Sequence, residues 1–283
     1  MSKQPEKRSH EYRFWLAAND EIGINQHLTD NIEIKNEKHE EGPGELRLWV
    51  KAEAVTAKSA FEKAMLYLDE FFDVYCVMKN VPLSVHGSDQ IDLLEPELSS
   101  KHWPHYGSIH YKPYSLTKKE AEIIYSHIVK LRESRYRFLT LALKFYRKAK
   151  LQEELSDKLI SYFISLESLF TDESTEITFR FSRRMAILLG KTSQQRKKLV
   201  EMGKKMYKLR SKVVHGNESK IEQKSLIVID IWVRNSILSF ILLMEHHKNR
   251  EKILLELDDA MMDEKIRIRL QKQSKPKIEL RSS

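Results

Sequence analysis

The sequence predicts a mainly α protein, with a small α+β region at the N-terminus and a helical bundle in the C-terminal half. Three observations lead to that fold class. After Ser115 apolar residues recur every three or four positions through most of the chain, the stripe of helices packed along one side. Strict alternation of apolar and polar residues is confined to two short stretches, Ile32 to Ile34 and Leu46 to Ala54. Only eight Gly and seven Pro punctuate 283 residues, too few for a turn-rich β protein. With 41% hydrophobic and 32% charged residues the composition is that of a folded chain, long enough for one large or two small domains with real cores.

Residues 1 to about 30 read as polar and irregular, with Tyr12, Phe14 and Trp15 available to dock onto the body. Asn31 to Lys35 and Leu46 to Ala54 flank a charged loop with Gly42-Pro43-Gly44, and read as two antiparallel strands with one buried face. A helix follows from about Thr56 to Lys79, its apolar face built from Phe61, Met65, Leu68, Phe72 and Tyr75. The single cysteine, Cys76, lies in the apolar run Phe71 to Met78. It reads as core rather than as a reactive thiol, excludes an internal disulfide and fits a reducing compartment. Residues 80 to 115 read as irregular. Their cluster HWPHYGSIHYKPY offers His102, His105 and His110, whose spacing matches no zinc pattern, so no metal is expected. Its aromatics (Trp103, Tyr106, Tyr111, Tyr114) read as a packed loop, with base stacking as the other use of such side chains.

A domain boundary is expected near Pro113. It separates an α+β region over residues 1–113 from a helical bundle over 114–250, with a basic tail over 251–283 that reads as a short helix and then a frayed end. Thr117 with Glu120 forms a capping-box pattern opening a long helix to about Lys150, with Ile124, Ile128, Leu131, Phe138, Leu141, Ala142 and Phe145 on its core side. Further helices are predicted over about Glu153 to Phe170, Ile177 to Leu189, and Ile221 to His247. The last contains LIVIDIWVRNSILSFILLM, apolar enough to check as a membrane span. Asp230 and Arg234 near its middle would each cost roughly 2.5–3.5 kcal/mol in lipid. Their four-residue spacing instead lets them pair on one face, so the segment reads as a central buried helix, with no membrane expected. His246 and His247 read as surface. The N-terminus has no apolar run of signal-peptide length, and a cytoplasmic location is expected.

The stretch from Lys191 to Gly216, KTSQQRKKLVEMGKKMYKLRSKVVHG, concentrates the charge. It carries nine Lys or Arg against one acid, Glu201, an excess equal to the +8 of the whole chain. Leu199, Met202, Met206, Leu209 and Val213 mark its buried stripe, Thr192 or Ser193 its cap, and Gly216 its end. Arg210 and His215 sit at that end with four residues between them.

The ISLESLF segment with Glu167, the helix with Arg183, Arg184 and Ala186, and YKLRSKVVHG follow one another in that order. Together they resemble the Apea-like branch of the HEPN domains over roughly residues 115–247. The motif of that superfamily is Arg, four to six residues, then His; Arg210 and His215 match it, with Ser211 where the family often has Asn or Asp. The resemblance implies a helical bundle that dimerises so that two motifs share a cleft, and in many members a metal-independent ribonuclease of toxin–antitoxin or antiphage systems. It thereby implies RNA as substrate, a homodimer, and an antitoxin or other regulatory protein as a further partner.

The residue chemistry is compatible with this. Cutting RNA without a metal needs a group that moves protons near neutral pH, which suits His215, and a fixed planar cation for the phosphorane, which suits Arg210. Ser211 would orient the phosphate or His215. Lys197, Lys204, Lys205, Lys208 and Lys212 would hold the RNA backbone and make binding salt-sensitive. No cofactor is expected. Residues five apart on a helix point about 140° from each other, so either the helix ends between Arg210 and His215 or two chains share the site. Glu167 reads as a structural acid paired with Arg183 or Arg184, with a catalytic carboxylate as the other reading. A non-catalytic module that binds RNA or a protein, with a sensing N-terminal region, is the alternative function. Phosphate-loop, dinucleotide, zinc and serine-hydrolase motifs have no match.

Overall fold

The structure, a computed structural model, describes residues 8–16, 26–29, 32–37, 45–80, 82, 85–91, 101–102, 118–171, 176–216 and 220–275. They form two compact units, Met1–Tyr75 with Val81–Val129, and Cys76–Asn80 with Lys130–Ser283. The division therefore falls at Val129, later in the chain than Pro113, which itself lies outside the described residues. The protein is mainly helical, and among the described residues its strands lie in the N-terminal region.

In the first unit six strands are described: β1 (Arg8–Leu16), β2 (Gln26–Thr29), β3 (Ile32–Glu37), β4 (Glu45–Ala54), β5 (Val85–Ile91) and β6 (Lys101–His102). All neighbours are antiparallel, in the order β2-β3-β4-β1-β5-β6. The expected pair is β3–β4, with Ile32 opposite Val50 and Ile34 opposite Leu48. Two expectations need correction. Residues 8–16 and 26–29 are strands rather than irregular chain, and β5 and β6 lie within the stretch read as irregular. The polar sequence VHGSDQI of β5 carries no apolar alternation; pairing with β1 and β6 makes it a strand. Tyr12, Val50 and Ala52 are buried, and the Tyr12 ring meets Phe61 edge-on at 5.4 Å. Phe61 lies on α1 (Ala57–Lys79), whose Ala60, Ala64 and Leu68 are fully buried. The aromatic and histidine cluster from Trp103 to Tyr114 and the cap at Thr117 lie outside the described residues.

The long helix expected to reach Lys150 is two helices, α2 (Lys118–Leu131) and α3 (Arg137–Leu151), joined by a 3₁₀ turn over Ser134–Tyr136. The break resets the helical phase. Tyr136, Leu139, Ala142, Leu143 and Tyr146 become the buried residues, while Leu141, expected inside, is 44% exposed. α4 (Leu155–Phe170), α5 (Ile177–Leu189), α6 (Ser193–Val214) and α7 (Gln223–Leu243) follow as the sequence predicts. Phe163, Phe170, Phe181 and Phe240 form an edge-to-face aromatic core among α4, α5 and α7. The basic tail, expected as one short helix and then a frayed end, forms two helices, α8 (Arg250–Asp259) and α9 (Glu264–Gln273), with Ile253, Leu254, Leu257 and Leu270 buried.

Among the described residues α7 is the helix long and apolar enough to cross a membrane by length and composition alone. Here its Ile229, Val233, Ile237 and Phe240 are fully buried in the second unit. Asp230 and Arg234 do not pair with each other. Asp230 binds Lys150 at 3.1 Å and accepts the Tyr162 hydroxyl at 2.9 Å. Arg234 donates to the carbonyls of Val77 (2.8 Å) and Met78 (2.9 Å). Those carbonyls end α1, where helical partners run out, and a cation answers them better than one more surface pair would. Asn80, at φ 62, takes the left-handed position just past that helix and accepts the Tyr146 hydroxyl at 2.7 Å. Burial first, then the charge of Asp230, holds the Tyr146 and Tyr162 phenols well above their ordinary range. Cys76 is buried, as the apolar run around it predicts.

Candidate nucleic-acid interface

Helix α6 carries the candidate site. A reciprocal cap fixes its start: Thr192 Oγ1 accepts from the Gln195 amide at 3.1 Å, and Gln195 Oε1 accepts from the Thr192 amide at 3.1 Å. Its packed side is set by Gly203 and Met206, both buried, and by Tyr207, whose ring meets Phe163 edge-on at 5.6 Å. Gly203 is small for a reason. A Cβ there would lie 3.1 Å from that of Ser182 on α5. The helix ends at Val214; His215 is its C-cap, donating its amide to the Ser211 carbonyl, and Gly216 adopts φ 71, which suits glycine.

The helix is continuous from Arg210 to Val214, and the amide of the C-cap His215 still bonds the Ser211 carbonyl, so the helical phase carries to His215 and the two side chains leave on different sides. Arg210 belongs to the packed side. Its guanidinium lies 3.6 Å from Glu167 of α4 and 5.7 Å from the centre of the Tyr207 ring, and both acid and base are 22% exposed. Glu167 Oε1 and Arg210 Nε are buried without a hydrogen bond among the described residues. Burial, then the adjacent Glu167 charge, holds the Tyr207 phenol above its ordinary range. His215 is exposed. It continues the row Lys197, Lys204, Lys208, whose spacings of seven, four and seven residues bring all four within a span of about 40° on one face. Lys205 and Lys212 flank that row, and all five lysines are exposed. Ser211 is half-buried.

The structure thus gathers the lysines with His215 and sets Arg210 apart from them. Glu167, expected to pair with Arg183 or Arg184, pairs with Arg210 instead. Arg184 is buried and spans Asp258 (2.6 and 2.8 Å) and the Phe170 carbonyl (2.7 Å). Arg183 is exposed over the Phe179 ring. Glu167 faces α6, so the base that answers it comes from there. Tyr207, one turn before Arg210, is the member of this cluster that sequence reasoning did not single out.

His247 also departs from expectation. Its side chain is 7% exposed, with Nδ1 2.7 Å from the Leu243 carbonyl and Nε2 3.2 Å from Glu256. Among the described residues no three His, Cys, Asp or Glu side chains are grouped to hold a metal.

No family model, curated protein or solved structure matches the chain.

Proposed function

We propose that the protein is a HEPN-type, metal-independent endoribonuclease acting as a homodimer in antiphage defence or toxin–antitoxin growth arrest. The observation that carries this reading is the exposed row of Lys197, Lys204, Lys208 and His215 along α6. A phosphodiester strand laid on that face brings a phosphate to an imidazole able to take the ribose 2′-proton and return one to the leaving oxygen. Arg210 supplies the phosphate clamp from a second copy of the chain, because within one chain it leaves the helix about 140° from His215. Ser211 lies between them in sequence as an additional donor. Apolar surface for a second copy is available on α7, where Ile227 and Ile231, one turn apart, are 56% and 52% exposed.

The alternative is a non-catalytic module that binds RNA or a protein partner. The Arg210–Glu167 ion pair favours it, since a clamp already engaged with a carboxylate has to be released before it meets phosphate. Incubation of labelled single-stranded RNA with the protein in excess EDTA separates the two. The nuclease cleaves and leaves cyclic-phosphate ends, while His215→Ala, folded by circular dichroism, does not. Binding without cleavage by either protein moves the assignment to the module.

A further inference from the structure

A groove of about 540 Å³ opens between α5, the first half of α6 and the turn joining α8 to α9. Five cations line it, Arg183, Arg196, Lys197, Lys204 and Arg267, against one acid, Glu201. Among the described residues no carboxylate forms an ion pair with Arg183, Arg196, Lys197 or Lys204; Arg267 has Glu264 beside it. Arg196 is turned inward by the Gly190 and Lys191 carbonyls, at 3.3 and 3.2 Å. Burial, then the charge of Arg267, lowers its pKa from the ordinary value, with Glu264 offsetting part of the effect. Like charges held together in this way are relieved by an anion placed among them.

The lining also has an apolar part, Ala186, Ile187, Val200 and Met261, and Arg183 stacks 4.1 Å from the centre of the Phe179 ring, which is 41% exposed. Cations and apolar side chains in one groove, beside an exposed ring, suit a ligand that carries both phosphates and flat rings. The groove also contains Lys197 and Lys204, the first two members of the row that ends at His215. His215 lies eighteen residues beyond Lys197, or about 27 Å along the axis at 1.5 Å per residue.

We propose that this groove is an anchoring subsite for single-stranded RNA, gripping the backbone several nucleotides from the phosphate presented at His215. Its placement relative to cleavage rests on the ribonuclease reading; its affinity for RNA does not. A strand seated there runs along the lysine row, so the groove sets the length of RNA the protein prefers.

The test is anisotropy of a labelled single-stranded RNA with the full chain across a salt series. It compares wild type, the double variant Arg183→Ala/Lys204→Ala, and the charge-matched control Lys248→Ala/Lys252→Ala. All four replaced residues are exposed, so circular dichroism melts are expected to coincide. The groove variant should bind at least tenfold more weakly, and its dependence of log affinity on log salt should flatten by roughly 1.4, the loss of two single-strand phosphate contacts. Equal weakening by the control, or no weakening by the groove variant, overturns the proposal. So does a mononucleotide that displaces RNA as well as an oligonucleotide does, which would make the groove a small-ligand site. The same measurement on His215→Ala keeps the two claims apart. Groove-dependent binding without cleavage by wild type sinks the nuclease and leaves the groove standing. Cleavage by wild type with groove-independent binding sinks the groove alone.

Discussion

Arg210 and Glu167 define the chemistry at the residue scale, because each is a charge that the fold leaves half-buried. At 3.6 Å and 22% exposure their attraction is neither the weak one of a surface pair nor the strong one of a dry interior. Replacing Glu167 by Gln keeps the shape and removes the countercharge. It should destabilise the protein by roughly 1–3 kcal/mol, the range for a buried polar group that loses its partner. Urea unfolding measures this, and Arg210→Ala made in addition should recover part of the loss. If the two losses simply add, the ion pair is not energetically coupled and Arg210 is free to act elsewhere. The sequence placed Glu167 correctly on an apolar helix but misassigned its base, since three arginines lie within reach of such an acid in sequence and only packing chooses among them. The same holds for Asp230 and Arg234. Their spacing permits a pair, but Lys150, Tyr162 and the carbonyls ending α1 compete for them across the bundle.

At the scale of elements, legibility followed local chemistry. The ends of α5 and α6 could be read because Gly190, Thr192, Gln195 and Gly216 mark them. The interruption between α2 and α3 carries no Gly or Pro, and β1 and β5 become strands through their neighbours rather than through their own pattern. Of α8 and α9 only one short helix was legible in the charged tail, because part of what holds the two is ionic. Glu256 of α8 meets His247 at 3.2 Å and Arg269 of α9 at 2.7 Å. Burial opposes ionisation of Glu256 and is the largest influence on it, yet the hydrogen bonds from His247 and Arg269 outweigh it and hold the carboxyl below its ordinary range. A depressed carboxyl contributes stability that is complete above the ordinary glutamate pKa of about 4.3 and is lost as pH falls through the folded value. Glu256→Gln should therefore lower the melting temperature at pH 7 by several degrees. Below about pH 4.3 its melting temperature should fall less steeply than that of wild type. Parallel curves across that range would show that the cluster does not hold α8 and α9 in place.

At the scale of the whole molecule the question is whether one chain is sufficient for the proposed site. Helix α6, whose phase carries to its cap at His215, sends Arg210 to the packed side and His215 to the lysine face, so the phosphate clamp and the proton shuttle meet only if two chains exchange them. That arrangement has a consequence that a site within one chain cannot share. Co-expression of His215→Ala with Arg210→Ala gives a mixed population in which each heterodimer holds one chain with an intact arginine and one with an intact histidine. In a two-fold dimer with shared sites, each heterodimer has one complete site of two, and random pairing makes about half of the dimers mixed. Cleavage should then return to roughly one quarter of wild type, although each variant alone is inactive. A site built within one chain gives no recovery, because neither chain carries both residues. Light scattering on the same samples reads the oligomeric state directly. A monomer would remove the geometry on which cleavage depends, and the exposed lysine row would then serve binding alone.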